Sequence, residues 1–148
     1  MIMNEFQRFQ DRARGAAVIV NASQTVLVVA HIDADGISAA AIASAALQRA
    51  GKDYDVEFVK KMDDDAVDLI NSSISDLVWV VDLGSGYVSR FNHPSVLISD
   101  HHVPEKDENG SPLASDNVLH VNPNLFQLDG GQEVSGAGVT YMVAKEMD

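Results

Sequence analysis

The sequence contains no cysteine, few basic residues and no long apolar run. The absence of cysteine excludes disulfides and thiolate zinc sites and is compatible with a reducing cytoplasm, where we expect the protein to lie. The longest apolar runs, near residues 26–30 and 77–81, are too short to cross a bilayer, so we expect no membrane partner. The polar start, Met1 to Gln10, does not have the apolar core of a secretory signal.

Basic residues number 10 against 22 acidic ones, which gives a net charge of -12. Surfaces that bind a nucleic-acid backbone are usually basic, so we expect no broad surface of that kind here. An acidic site can still hold cations, because bound metals invert the local field. The 148 residues are enough for one domain, which we place at residues 1–148.

Short apolar runs alternate with helical segments along the chain. This alternation predicts an α/β fold with an open, mainly parallel sheet flanked by helices. In such sheets, ligands bind beyond the carboxyl ends of the strands. The predicted helices are residues 4–21, 36–50, 64–71 and 135–147, and the predicted strands are residues 25–30, 55–59, 77–81, 95–99 and 118–121.

Potential metal ligands follow the first predicted strand as His31, Asp33 and Asp35, with Gly36 next. Residues two apart in extended backbone point the same way, so the strand can direct both carboxylates into one cavity. Gly36 permits a tight turn into the next helix, whose free N–H groups favour an anion. The alternative is that Asp35 only caps that helix.

Two more strands end in residues of the same kind. Asp82 closes the run at 77–81, and Asp100, His101 and His102 follow the run at 95–99. Carboxylates and imidazoles suit Mn²⁺ or Mg²⁺, and two close ions need a shared ligand, for which Asp82 is a candidate. Taken alone, Asp82 could be a turn residue and the histidine pair a surface feature.

A glycine-rich stretch leads into the last predicted helix. Its segment Ser135-Gly136-Ala137-Gly138 could cradle a phosphate with backbone N–H groups, or could serve close helix packing equally well. No P-loop lysine is present, which excludes a nucleoside-triphosphatase of that type. We expect His93 to be solvated in a loop and His120 to be packed or hydrogen-bonded.

In their order and spacing, four motifs over residues 25–140 resemble those of the DHH phosphoesterase superfamily. The motifs are His31-x-Asp33-x-Asp35-Gly36, Asp82, Asp100-His101-His102 and Ser135-Gly136-Ala137-Gly138. Within it, the sequence looks most like RecJ-type single-strand exonucleases, particularly their archaeal relatives that associate with the replisome. The single residue between His31 and Asp33 favours this branch over the pyrophosphatases and the cyclic-dinucleotide phosphodiesterases.

The resemblance implies a role for each matching position. Asp33, Asp35 and His101 become metal ligands, with His31 a ligand or near-ligand, and Asp82 bridges two ions. Asp100 orients the histidine pair, and His102 contacts the scissile phosphate. The segment formed by Ser135, Gly136, Ala137 and Gly138 lies near the substrate strand.

The implied activity is hydrolysis of phosphodiester bonds in single-stranded DNA or RNA with two Mn²⁺ or Mg²⁺ ions, in DNA repair or replication. Two departures concern the end of the chain: a further Asp ligand and a second, substrate-binding domain are missing. We therefore expect a truncated domain that binds metal poorly and is weakly active or inactive alone. The alternatives are an oligonucleotide or cyclic-dinucleotide phosphodiesterase, and an inactive scaffold among replication-complex proteins.

Overall fold

The computed structural model of the chain describes residues 3–148, so Met1 and Ile2 lie outside the described residues. The long helices are α1 (Glu5–Ala22), α2 (Ala34–Arg49), α3 (Asp64–Asn71) and α4 (Gly136–Glu146). The strands are β1 (Thr25–His31), β2 (Asp53–Val59), β3 (Leu77–Val81), β4 (Val96–Ser99) and β5 (Val118–Val121). Short 3-10 helices occupy Ser85–Arg90 and Pro123–Phe126.

All strand pairs are parallel, and the sheet order is β2-β1-β3-β4-β5. This confirms the predicted α/β class with a parallel sheet. The chain leaves β1 towards β2 on one side and continues from β3 towards β5 on the other. The order therefore reverses between β1 and β3, where open α/β sheets form a crevice at the carboxyl ends of the strands.

The central strands are apolar because both of their faces are buried. In β3, Trp79 faces the layer formed by α1, α2 and α4, whereas Val80 faces the layer that contains α3. In β1, Val28 and Val29 divide in the same way. The consequence is a rigid double-sided core that holds the carboxyl ends of β1 and β3 side by side.

Helix α2 begins at Ala34, two residues earlier than the sequence indicates. Asp33 is its N-cap, and its carboxylate accepts a hydrogen bond of 2.8 Å from the Gly36 N–H. The alternative that Asp35 only caps this helix is therefore excluded, because Asp33 is the cap. At Gly36, a Cβ atom would lie 1.9 Å from the His31 carbonyl oxygen, so only glycine allows the helix to turn so closely back on β1.

No helix within residues 3–148 is both long and apolar enough to cross a membrane.

Candidate metal centre

Asp82 lies at the centre of the cluster, directly after β3. Its side chain is 1% exposed, and neither carboxylate oxygen has a hydrogen-bond partner among the described residues. Its φ of 63° is in the left-handed region, which is uncommon for a residue other than glycine. A buried carboxylate without donors is costly, so this position is unfavourable unless a cation accompanies it.

Helix α4 approaches Asp82 closely through Gly136. A Cβ atom at Gly136 would lie 2.2 Å from the Asp82 Oδ1 atom. Glycine is therefore required for the amino end of α4 to reach the carboxyl end of β3.

His31 directs its Nδ1 atom to one side of Asp82. Its Nε2 lies 3.0 Å from the Lys60 carbonyl oxygen, and because a carbonyl only accepts, Nε2 carries the proton. In the neutral ring, Nδ1 then directs a lone pair at Asp33 Oδ2, 2.9 Å away, and towards Asp82 Oδ2, 3.9 Å away. Nδ1 is buried without a hydrogen-bond partner among the described residues.

His101 does the same on the other side of Asp82. Its Nδ1 donates to the Gly130 carbonyl at 2.8 Å, so Nε2 of the neutral ring is the unprotonated nitrogen. Nε2 lies 3.1 Å from Asp82 Oδ1 and 3.3 Å from Asp35 Oδ2. Lone pairs thus face carboxylates on both sides of Asp82, an arrangement that repels unless a proton or metal ion lies between them.

Asp33 and Asp35 reach the cluster by different routes. Asp33 contacts His31, whereas Asp35 contacts His101 and accepts hydrogen bonds from the N–H groups of Gly136 (2.9 Å) and Ala137 (2.8 Å). The prediction that both carboxylates point the same way along an extended strand is wrong, because the helix has already begun at Ala34. The two aspartates instead serve separate halves of the cluster.

Asp100 forms hydrogen bonds to both members of the histidine pair, and the orienting role that the resemblance implies for it stays a prediction. It is fully buried, and its Oδ1 accepts hydrogen bonds from His102 Nδ1 (2.6 Å) and from the His101 N–H (2.8 Å). Its Oδ2 accepts from the Ser85 N–H at 3.2 Å. The His102 side chain is 57% exposed and lines a cavity of about 280 Å³ that also touches His31 and Asp82.

The pKa values reflect an excess of negative charge. Burial, followed by repulsion from Asp35, raises the pKa of Asp82 to about 8. The hydrogen bond to Asp100 raises the pKa of His102 to about 9, so this ring is positively charged at neutral pH. The Gly36 N–H lowers the pKa of Asp33. A divalent cation beside Asp82 would offset the repulsion that raises its pKa.

The segment Ser135–Gly138 lies beside the cluster. The Ser135 side chain caps α4 by accepting from the Gly138 N–H at 3.0 Å, while Gly136 and Ala137 donate to Asp35. Ser135 also lines a cavity of about 220 Å³ together with His101 and Gly130. Three backbone N–H groups of the segment thus donate within the protein, and its contact with substrate stays a prediction.

The two remaining histidines are both buried. His93 is 3% exposed, and its ring nitrogens lie 3.0 Å from the carbonyl oxygens of Ser95 and Ser75, so the prediction of a solvated side chain is wrong. Its place before Pro94 indicates a loop but does not show that the loop packs against the core. The prediction for His120 is confirmed, since it is 6% exposed and lies 2.7 Å from Ser85 Oγ.

Several residues of the site escape the sequence analysis. The carbonyl groups of Lys60 and Gly130 set which nitrogen of His31 and His101 is unprotonated, and no side-chain pattern encodes them. Ser85 and Asn122 form hydrogen bonds to the segment of the histidine pair, to the Asp100 carboxylate and the His102 carbonyl respectively. A search of the carboxyl ends of strands for amides and hydroxyls, in addition to acids and imidazoles, would have found Asn122.

Comparison with known families gives one match that covers most of the chain. The family described as "DHH family, N-terminal domain" matches residues 25–148. An uncharacterized protein of Methanocaldococcus jannaschii is 28% identical over an alignment of 133 positions that covers 86% of this chain. The chain spans 30% of the length of that relative.

Solved structures share the fold. The exonuclease RecJ bound to manganese has a TM-score of 0.73 at 24% identity, over 91% of this chain and 37% of its own. RecJ of Thermus thermophilus in complex with Mn²⁺ has a TM-score of 0.72 at 25% identity, over 92% of this chain and 20% of its own. CDC45 of Entamoeba histolytica has a TM-score of 0.61 at 18% identity, over 99% of this chain and 30% of its own.

Proposed function

The chain belongs to the DHH family, and on that premise we propose that it is the metal-binding domain of a phosphodiesterase that uses two divalent ions, Mn²⁺ or Mg²⁺. Membership in the DHH family and the likeness to RecJ support the general class of metal-dependent phosphoesterases. The observation that carries the proposal is Asp82, whose two buried oxygens have no hydrogen-bond partner among residues 3–148 and each face the ring nitrogen of a different histidine.

The donor atoms divide into two sets that share Asp82. One set contains His31 and Asp33 on the Oδ2 side of Asp82, and the other contains Asp35 and His101 on its Oδ1 side. Carboxylate oxygens with imidazole nitrogens and no sulfur suit Mn²⁺ and Mg²⁺. In this proposal each set would hold one ion, and Asp82 would be the ligand common to both sets.

The surrounding residues orient these ligands. The Lys60 and Gly130 carbonyls keep the unprotonated nitrogens of His31 and His101 directed inward. The N–H groups at the amino end of α4 hold Asp35 with both of its oxygens engaged, so its position is set before an ion arrives. Such outer contacts raise ligand basicity and fix the ring orientation.

Bound divalent ions would supply an activated water and offset charge on the phosphate. The chain itself supplies His102, which is protonated, exposed to the cavity and held by Asp100. In that position the ring donates its free N–H to a non-bridging phosphate oxygen and adds positive charge beside it. Asp100 keeps His102 charged and orients it.

We propose single-stranded DNA or RNA as the substrate, degraded from an end. The acidic chain does not grip a polyanion broadly, so a further domain of a longer protein would supply the backbone and base contacts. The net charge of -12 is consistent with substrate contacts that lie mainly on another domain.

Two measurements test the proposal. Calorimetry of the chain with Mn²⁺ should show saturable binding, and Asp82→Asn should remove it. In the longer protein, end-labelled long single strands should shorten in Mn²⁺, and Asp82→Ala should abolish hydrolysis while circular dichroism stays that of the wild type. Hydrolysis retained by that variant contradicts the bridging role.

The same assays separate the two alternatives. Cleavage of short oligonucleotides or cyclic dinucleotides without shortening of long strands favours the smaller-substrate phosphodiesterase. Absence of Mn²⁺ binding by the longer protein favours a non-catalytic scaffold. The likeness to CDC45 concerns the fold alone. The metal-binding function is favoured because His31 and His101 each place a ring nitrogen within about 3 Å of a carboxylate oxygen.

A further inference from the structure

A buried polar cluster lies beneath the histidine pair and is formed by Ser85, His120 and Asn122. Ser85 and Asn122 are fully buried, and His120 is 6% exposed. They come from separate parts of the chain, since Ser85 begins the 3-10 helix after β3, His120 lies in β5 and Asn122 follows it. None of the three belongs to the two ligand sets, so the proposed metal binding does not by itself account for them.

The hydrogen bonds of this cluster can be followed from Asn122 as the first donor, through Ser85, to His120. The Asn122 Oδ1 atom accepts from the Asn124 N–H at 2.9 Å, which identifies the other side-chain atom as the donor Nδ2. Nδ2 donates to Ser85 Oγ and to the His102 carbonyl, both at 2.8 Å, and so uses both of its hydrogens. The Ser85 hydroxyl then donates its own proton to His120 Nε2 at 2.7 Å.

This order requires a neutral His120 with an unprotonated Nε2. Burial lowers its pKa to about 4, in agreement with that requirement. The ring is therefore the final acceptor of the chain, and each hydroxyl or amide hydrogen in it has one partner. Without the ring, the Ser85 hydroxyl hydrogen would be buried without an acceptor, which is costly in the interior.

The cluster fixes the segment that carries the histidine pair. Strand β4 ends at Ser99, and of the three residues that follow, Asp100 keeps one bond to a strand, from its N–H to the Val121 carbonyl of β5 at 3.1 Å. Ser85 holds the Asp100 carboxylate through its N–H, and Asn122 holds the carbonyl of His102. Asn124 Nδ2 also donates to the carbonyls of His101 (3.0 Å) and His102 (3.2 Å), so the cluster shares this role with Asn124. The part that Ser85 and Asn122 play in placing the two rings depends in turn on His120, which lies 2.7 Å from Ser85 Oγ.

We propose that His120 is a positioning residue, which acts through Ser85 and Asn122 to hold Asp100–His102 in the geometry that binds metal. The inference rests on the proposed function for its metal readout and has a second readout that needs no metal. Loss of an outer partner of a metal ligand commonly weakens metal binding about 10- to 100-fold. We expect about tenfold here, because His120 is two hydrogen bonds removed from the ligand segment.

The test compares four forms of this chain: wild type, His120→Phe, His120→Gln and His93→Phe. Phe removes the acceptor and keeps an aromatic ring, whereas Gln keeps a side-chain acceptor for Ser85. His93 is the matched control, because it is equally buried and hydrogen-bonded but precedes β4 at the opposite end of the sheet. Calorimetry gives the Mn²⁺ affinity, and amide hydrogen exchange without metal gives the protection of His101 and Ser85, whose N–H groups bond to Asp100.

We expect His120→Phe to bind Mn²⁺ about tenfold more weakly and to exchange its His101 and Ser85 amides faster, with partial recovery in His120→Gln. We expect His93→Phe to lower the melting temperature without either effect. Equal affinity and equal protection in His120→Phe and wild type overturn the inference, as do equal losses in His93→Phe. A wild-type chain that binds no Mn²⁺ counts against the proposed function alone, since the exchange measurement still decides the role of His120.

Discussion

The aspartates at the two ends of β3 have opposite environments. Asp76 precedes the strand, and its carboxylate accepts hydrogen bonds from the N–H groups of Gln24 (2.9 Å) and Thr25 (3.2 Å). These bonds lower the pKa of Asp76. Asp82 follows the strand, has no such donors among the described residues, and its pKa is raised to about 8, chiefly by burial.

The difference distinguishes a carboxylate that stabilises the fold from one that the fold holds ready for a cation. Backbone N–H groups satisfy Asp76, so its charge is compatible with the folded state at neutral pH. Asp82 is surrounded by Asp33, Asp35 and Asp100, whose charges oppose its ionisation. The same five-residue strand therefore ends in a stabilising contact on one side and in an unfavourable one on the other.

The strongest test of this comparison is metal affinity. Asp82→Asn should weaken Mn²⁺ binding by more than about 100-fold, beyond the effect usual for an outer partner, because it removes the ligand shared by both donor sets. Asp76→Asn should change the affinity less than about twofold, since Asp76 lies at the other end of the sheet. Calorimetry measures both, and similar losses in the two variants would remove the distinction.

A second test concerns how closely the fold encloses Asp82. Gly136→Ala places a Cβ atom 2.2 Å from Asp82 Oδ1, so we expect a loss of about 1–3 kcal/mol in unfolding free energy, as for other overpacked sites. Gly15→Ala in α1 meets no atom within 4 Å and should instead stabilise by about 0.5–1 kcal/mol. Urea unfolding of both variants measures this, and a neutral Gly136→Ala would show that α4 can move away.

A third test uses pH in the presence of a chelator. A carboxyl with a raised pKa contributes stability below its unfolded value near 3.8 and loses it as the pH rises through about 8. His102, with its pKa raised to about 9, contributes stability below 6.5 and loses it through 9. We expect the unfolding free energy to fall as the pH rises from about 4 to 9, most steeply between 6.5 and 8 where both groups contribute, and Asp82→Asn to reduce the slope below pH 8. A slope unchanged by the substitution would show that Asp82 titrates normally.

The smallest effect should appear in the metal-free chain at pH 8. Asp82→Asn should raise the melting temperature, because an amide can donate to the unprotonated nitrogen of His101 and carries no charge. Asp76→Asn should lower it slightly, because an amide oxygen is a weaker acceptor for Gln24 and Thr25. Thermal unfolding with chelator measures both shifts, and shifts of the same sign contradict the contrast between the two aspartates.

The sequence predicts the strands because their apolar runs are short and bounded. The predicted strand at residues 77–81 coincides with β3, and the predicted strand at 95–99 ends with β4 at Ser99. Both predictions succeed because full burial on both faces requires continuous apolar residues. The grouping of acidic residues and histidines after the strands is predicted because the carboxyl ends of parallel strands lie at one edge of the sheet. The 3-10 helix at Ser85–Arg90 is not predicted, because its Gly-Ser-Gly start is typical of an ordinary turn.

Other features of the site depend on contacts distant in sequence. The start of α2 at Ala34 comes from Asp33 acting as its cap, which the preceding strand pattern does not distinguish from extended backbone. The unprotonated nitrogens of His31 and His101 are set by carbonyl groups 29 residues away in each case. Composition and periodicity do not predict such long-range contacts. The orientation of the two imidazole rings is therefore known only from the folded structure.

The bonds from Gly136 and Ala137 to Asp35 span 101 and 102 residues. During synthesis the ribosome releases β1 and its acidic tip long before α4 exists, and chains grow at about 5–20 residues per second. For several seconds, Asp35 is therefore present without the helix that restrains it. The order of translation therefore leaves the Asp35 carboxylate without these two N–H donors until Gly136 and Ala137 have emerged, about a hundred residues after β1.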